Sequence, residues 1–589
     1  MKSTRAKLNI KFTLVLFFGI LFFTTNSQAA TSFYVIPADE GACPVNGDGT
    51  ANQCASASGQ PGYWRGFSNI QWGTSPKQVG PGNTLYLIGG KTYYETLTLD
   101  GSGSDGFPIT ITVSGGGTAT IDGQNTRDSA INTGGRSFIT IDGGRGNAVA
   151  GDTDYGFIFQ NHRNNCVYTA SGGSHINILH MDCKNLSLPR QHGTHTGSDG
   201  ATTLTDSTQS WTNNEWVNWG VINVTGNSVA GITANTSTTI TGTLGNQGGS
   251  GRTHWDYGDK YVIYWSDDVG GIRLTLEASE IELAYNWIHG SPGGATDESL
   301  KWPVSCIVLW AAESGTARDT HKIHHNKCEY LGMDAIKSGS NTSLYNNYVA
   351  SVHLPMAHSD GLLIQGNSNH SAIYNNYVAG STQCIYLDST TVAGMSDIQI
   401  FNNVVDCRTG SFGFTAHVDP TGPISNVGVY HNTFIGSNYI DFVHSVTNVT
   451  NLDARNNYFG SSSNGGPQIS MQTASISYLD YNVYKTGQKV AWVDGVEKDW
   501  AGLTELGYEK FGSRADPSFT SDWQLQAGDT VAKDKGADLS SLCSTMPALC
   551  FDKNGVSRPQ GSAWDIGAYE YVQAPDTNPP AAPTGLIVN

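Results

Sequence analysis

The sequence predicts an all-β fold: a parallel β-helix (solenoid) of stacked short strands, with a small inserted β-module. Three observations predict it. Similar segments recur through the second half of the chain, each alternates apolar and polar residues, and 71 of the 589 residues are glycine. Alternation marks strands, whose side chains point to opposite faces with a period of two. Recurrence without a helical period between strands marks turns that stack on copies of themselves.

The recurring segments are IELAYNWIHG (281–290), HKIHHNKCEY (321–330), TSLYNNYVAS (342–351), SAIYNNYVAG (371–380), IQIFNNVVDC (398–407), VGVYHNTFIG (427–436), LDARNNYFGS (452–461) and ISYLDYNVYK (476–485). They align Asn286, Asn326, Asn347, Asn376, Asn403, Asn432, Asn457 and Asn482, with gaps from Asn326 onward of 21, 29, 27, 29, 25 and 25 residues. Asparagine tolerates left-handed backbone, and its amide can bond to its copy in the next turn, about 4.8 Å away. Glycines supply the unusual angles of the corners.

The ends read differently. Lys2, Arg5, Lys7 and Lys11 precede an apolar run, Phe12 to Phe23, and then Ser27-Gln28-Ala29. That run is shorter than the roughly 20 residues a membrane span needs. Residues 1–30 therefore read as a secretory signal peptide, with an uncleaved anchor as the competing reading. Losing four basic residues takes the net charge from −18 to −22. Such a chain lacks the clustered Lys and Arg that nucleic acid requires. The expected protein is secreted (extracellular or periplasmic), monomeric and free of the membrane. Ten cysteines fall into neighbours, Cys43/Cys54, Cys166/Cys183, Cys306/Cys328, Cys384/Cys407 and Cys543/Cys550, and an exported chain is expected to form disulfides. Free buried thiols are the competing reading for 306/328 and 384/407.

Four regions follow the signal. Residues 31–196 read as an N-terminal cap and first turns, 266–571 as the β-helix core and closing segment, and 572–589 as a Pro-rich linker opening a further module. Residues 197–265 break the spacing, are Thr-rich and turn-punctuated, and read as an inserted β-module. Its Trp211, Trp216, Trp219 and Trp255 either present aromatic faces to sugar or form the module's own core.

Three stretches resemble a known group. They are PGNTLYLIGGKTYYETLTLDGSGSDGFPITITV (81–113), WRGFSNIQW (64–72) at the position of a capping helix, and DKNGVSRP (552–559) followed by WDIGAYEY (564–571). Together with the ladder they make residues 32–571 similar to the secreted right-handed parallel β-helix proteins of the pectate-lyase-like superfamily. The resemblance implies that fold and a carbohydrate-active enzyme acting on polysaccharide. It does not choose a reaction, since one scaffold carries many chemistries.

A β-helix presents residues from successive turns in a row, so chemistry is sought where titratable residues gather at one level. GMDAIKSG (332–339), MAHSDGLLIQG (356–366) and TQCIYLDST (382–390) supply Asp334, Lys337, His358, Asp360 and Asp388. Aligned by apolar run and closing turn, Asp334 falls over Asp360, and Lys337, Gln365 and Asp388 gather at the far end of the strand. Two carboxylates one turn apart cannot both ionise cheaply, which yields one acid and one base for cleaving a glycosidic bond. Asp334, Asp360, His358 and Lys337 are the catalytic candidates; His353, Asp388, Glu298 and Glu313 are the substrate-binding candidates, with Asp297 and Asp319 extending the wall. An Asp beside Gly also serves as a plain turn residue, and Lys337 as a solvated one. His324/His325 as a metal pair and His417 with Asp419 are weaker candidates.

A lyase needs a neutralised uronate carboxylate and a base. The calcium-dependent pectate lyases carry clustered acids on the turn after an Asp-Gly motif and then a Lys. Here that turn has only Asp388, and residues 338–484 contain no Lys and only Arg408 and Arg455. That site does not carry over; Asp334, Asp360 and Asp388 around Ca²⁺ with Lys337 as base is a rearranged version. Polygalacturonases use clustered Asp with a nearby His, and GMDAIKSG resembles their Asp-rich turn with Met333 replacing one Asp. The supply of Asp and His favours hydrolysis without a cofactor, over a lyase, with Ca²⁺ as its cofactor in the calcium-dependent version, and over a non-catalytic glycan-binding or adhesive coil.

Overall fold

A computed structural model describes residues 31–144, 155–169, 172–186, 191–226, 228–245, 251–264, 270–276, 280–289, 305–311, 318–331, 333–352, 359–366, 368–389, 394–408, 412–418, 422–437, 440–444, 449–462 and 466–573. Within them the chain is a parallel β-helix. Three long sheets of 14, 13 and 13 strands run its length, and each turn contributes one strand to the first, second and third sheet in order. Thr84–Ile88, Lys91–Tyr93 and Leu97–Thr98 form one early turn; Ile476–Asp480, Val483–Tyr484 and Lys489–Val493 form the last. The sequence expectation of a parallel coil is met.

Alternation builds the interior. On the first sheet Ile111, Ile141, Ile178, Leu283, Ile323, Leu344, Ile373, Ile400, Val429 and Ala454 occupy one register row, each fully buried. Burying one such aliphatic chain is worth about 1.5–3 kcal/mol. Because each turn covers the apolar row of its neighbour, no turn can be stable alone.

The aligned asparagines form the corner between the first and second sheets. Asn347 donates its backbone N–H and its Nδ2 to Asn376 Oδ1 at 2.9 and 3.1 Å, and Asn376 does the same to Asn403. The pattern runs from Asn286 to Asn482. The ladder residue is not the left-handed one. Positive φ falls on the residue before it, at Tyr285, His325, Asn346, Asn375, Asn402, His431, Asn456 and Tyr481. One residue bends the backbone and the next bonds the turns. At the C-terminal end Glu509 replaces asparagine and accepts from Asn482 N and Nδ2 and from Tyr484 Oη.

The N-terminal lid differs from expectation. Residues 64–72 form no α-helix: Trp64–Arg65 pairs as an edge strand on Val35–Ile36, and Phe67–Asn69 is a single 3₁₀ turn. Gly66, at φ 79°, breaks any helix there. The open core is instead closed by Trp64 stacked on Phe33 at 5.3 Å and Phe67 on Tyr93 at 5.0 Å. At the other end, residues 515–571 fold back along the outside of the asparagine corner. Arg558, fully buried, pairs with Glu570 and donates to Asn402 Oδ1.

All five expected cysteine pairs are disulfides. Cys166–Cys183, Cys306–Cys328 and Cys384–Cys407 lie in the coil interior, joining third-sheet strands to second-sheet strands. Between the second and third sheets of one turn, residues 192–264 form two small antiparallel sheets. Trp211, Trp216 and Trp255 are buried in that module's own core, with Trp219 packed beside them. Of the two sequence readings, the module's own core holds for Trp211, Trp216 and Trp255, whose buried rings have no face to offer, while Trp219 stays partly exposed. Among the described residues no helix is long and apolar enough to cross a membrane.

Candidate functional site

The third sheet brings the sequence candidates onto one face. Ile336, Leu362 and Ile385 align in register and point inward; one residue further, Lys337, Leu363, Tyr386 and Thr415 align on the outer face. At the strand starts two consecutive residues belong to the core: Ala335-Ile336 and Cys384-Ile385. Gly361 takes the inward place in the intervening turn, where a Cβ would lie 2.4 Å from the Cys384 carbonyl oxygen. This doublet turns the preceding residue, Asp334 or Asp360, outward.

The two carboxylates are thus neighbours on adjacent turns. Asp360 N–H donates to Asp334 Oδ1 at 3.1 Å, and Ala335 N–H returns a bond to the Asp360 carbonyl at 2.7 Å. Asp360 is 2% exposed while Asp334 is half-buried. Tyr386, not anticipated from the sequence, stands on the same face. Burial raises its phenol pKa from the ordinary value of 10.0, and the Asp388, Asp360 and Asp334 carboxylates raise it further. The phenol keeps its proton at any physiological pH. In sequence, TQCIYLDST reads as an apolar run in which a tyrosine looks like core; only the inward doublet Cys384-Ile385 sends it outward.

The remaining candidates divide. Gln365 Nε2 donates to Asp388 Oδ2 at 2.8 Å, as their common register requires. Lys337 is not with them. It is level with Leu363 and Tyr386, and its ammonium lies 4.7 Å from the Trp310 ring centroid. Matching the closing glycines Gly339 and Gly366 misplaces it, because the chain takes five residues from Ser338 to Ser343 but eight from Ile364 to Ala372. Arg273, another residue not anticipated, lies in the same outer row as Lys337, two turns earlier. His417 is level with Asp388. His324 bonds to Glu282 Oε1 at 3.0 Å and to His325 at 2.8 Å on the first sheet, so both belong to another face. His353, His358, Glu298, Glu313, Asp297 and Asp419 lie outside the described residues.

The three-aspartate calcium site does not fit. Asp360 is level with Gln383, and Asp388 lies five residues beyond it along the strand. That is on the order of 15 Å at about 3.3 Å per residue, and calcium ligands sit within about 2.6 Å of the ion. Among the described residues no three His, Cys, Asp or Glu side chains converge on one point.

No protein-family model and no curated protein matches the sequence. Several solved structures align along much of the chain. The PL6 family alginate lyase AlyGC aligns over 86% of this chain and 58% of its own, at 12% identity and TM-score 0.40, so this chain spans little more than half of that enzyme. The pectate lyase Pel9A aligns over 92% of this chain and 97% of its own, at 13% identity and TM-score 0.32. A GH136 lacto-N-biosidase from Eubacterium ramulus aligns over 82% and 67%, at 10% identity and TM-score 0.35.

Proposed function

We propose that the protein cleaves a polysaccharide on the outer face of the third sheet, by hydrolysis, with Asp334 and Asp360 as the working pair. The observation that supports this reading is the outward placement of both carboxylates on adjacent turns, in contact through the Asp360 amide. Adjacent turns are about 4.8 Å apart, and carboxyl groups about 5–5.5 Å apart suit double displacement at a sugar carbon. In that scheme one carboxyl group donates its proton to the departing glycosidic oxygen. The other attacks the anomeric carbon, and water then releases the sugar. Tyr386, protonated throughout, bonds Asp388 and sets the polar side of the groove. Trp310, beneath the Lys337 ammonium, gives the apolar surface beside it.

A second reading, β-elimination on a uronate-containing glycan, is favoured by the row that joins Arg273 and Lys337 to the level of Tyr386. Arg273 there would neutralise the uronate carboxylate, and Lys337, as the neutral amine, would take the adjacent proton while the glycosidic C–O bond breaks and its oxygen leaves with the departing chain. Incubation with neutral and uronate polysaccharides separates the readings. New reducing ends without ultraviolet-absorbing unsaturated ends support hydrolysis; unsaturated ends replace it with elimination. Binding without any new ends would leave a glycan-binding coil and overturn both.

A further inference from the structure

We infer that the outer face of the first sheet carries a second, non-catalytic groove for a neutral glycan chain. For the class of ligand it rests on the reading above; for its place and selectivity it rests on separate observations. Two cavities of about 480 and 400 Å³ open on this face, and Asp319 lines both. Each falls within the range of small-ligand sites, about 300–1,000 Å³. Together they follow one outward row, Thr140, Asn177, Glu282, Lys322, Ser343 and Ala372, which are aligned on six successive turns. Six turns span about 24 Å at 4.8 Å per turn, the form of a trough for an extended polymer.

Side-chain size shapes the trough. Its floor narrows to Ser343 and Ala372, while the Tyr374 and Phe401 rings, stacked at 4.8 Å, rise along one side. The loop closed by Cys543–Cys550 packs on those rings and raises the same side with Thr545, Met546, Pro547 and Ala548, while Arg318 and Asp319 also line the trough. At the far end His175 stacks on Phe138 at 4.2 Å. Arg318 is anchored through Asp397, and among the described residues its buried Nε has no hydrogen-bond partner.

Charge selects the occupant. Asp105, Glu280, Glu282 and Asp319 line the trough against the cations Lys322 and Arg318. The Glu282–His324 bond holds the Glu282 carboxyl below its ordinary range, so it stays ionised. An acidic excess repels a polyuronate, whereas carboxylates, Lys322 and Arg318 all bond readily to uncharged hydroxyls.

Equilibrium binding to the full chain carrying Asp360→Asn, expected to suppress cleavage, tests the groove. The probes are neutral cello-, xylo-, manno- and galactohexaose, with polygalacturonate and polymannuronate as anionic controls. At least one neutral hexaose should bind, and Ala372→Tyr, which fills the floor, should weaken it at least about tenfold. Lys322→Ala, a milder change on a half-exposed residue, should weaken it in the same direction and keeps the test open if Ala372→Tyr fails to fold. Binding of the anionic probes alone, of none of the probes, or of a neutral hexaose with equal strength in both first-sheet variants would overturn the inference. Cleavage surviving Asp360→Asn would count against the third-sheet reading only.

Discussion

The Asp360 backbone amide donates to the Asp334 carboxylate across one turn of the coil, 3.1 Å away, although 26 residues separate them in sequence. A single bond thereby fixes the level of one carboxyl group against the other. It also leaves the Asp360 side chain on the same outer face, within the electrostatic reach of Tyr386.

Asp334→Asn and Asp360→Asn should each lower the cleavage rate by about 10²–10⁴-fold, the range associated with proton transfer by a placed side chain. In the Asp334→Asn variant the new side-chain amide still offers an oxygen to the Asp360 N–H, so melting temperature should move little. Initial rates and thermal melts on the same preparations check both halves. Wild-type rates in either variant would remove that residue from the chemistry.

Tyr386→Phe deletes the hydroxyl and keeps the ring. Activity should fall at least about tenfold. Because burial and three carboxylates raise the phenol above 10.0, the wild-type rate should show no alkaline limb from this group below pH 10. A pH–rate profile with a Tyr386-dependent limb near neutrality would contradict the placement.

Burial raises the Glu509 carboxyl from 4.5 to about 8. The folded state therefore prefers the protonated form. Glu509's contribution to stability is fullest below about pH 4.5 and is lost as pH climbs through 8. Glu509→Gln, uncharged at every pH, should flatten the stability profile in this window. Denaturant titrations at pH 5 and pH 8 read the difference; equal slopes against pH in both proteins would refute it.

Asn403→Ala removes the acceptor of Asn376 N and Nδ2 and the donor to Ile373 O, all in the interior. Stranding such groups should cost about 3 kcal/mol. A drop of that size in unfolding free energy, with the circular dichroism of the native protein unchanged, is the expected result.

The coil is legible in the sequence because its two determinants are local. Alternation places Ile323, Leu344 and Ile373 inward, and each aligned Asn marks a corner. The vertical pairing of Asp334 with Asp360 follows from the same register. What escapes are features set by corners. Lys337 is misplaced because corners of unequal length break any alignment on closing glycines. Tyr386 is hidden because two consecutive inward residues, Cys384 and Ile385, suspend strict alternation for one step. Left-handed backbone is expected at Asn347 and its copies, but the preceding residue carries it, since the ladder amide must point into the coil. The tryptophans of the inserted module divide between core and surface only through tertiary packing, which composition does not encode.

The C-terminal segment alters how the molecule comes apart. Lys553 donates to Asn375 O, Arg558 to Asn402, the Asp565 carbonyl bonds to His431, and Gly567 N–H reaches Asn456 O. These anchors seize four successive coils at the one edge they share. A bare solenoid can fray from its end, coil by coil. Here the last coils are riveted to a common strip, so they should be released as a block, and protease nicking near residue 556 should free that block long before the N-terminal half yields.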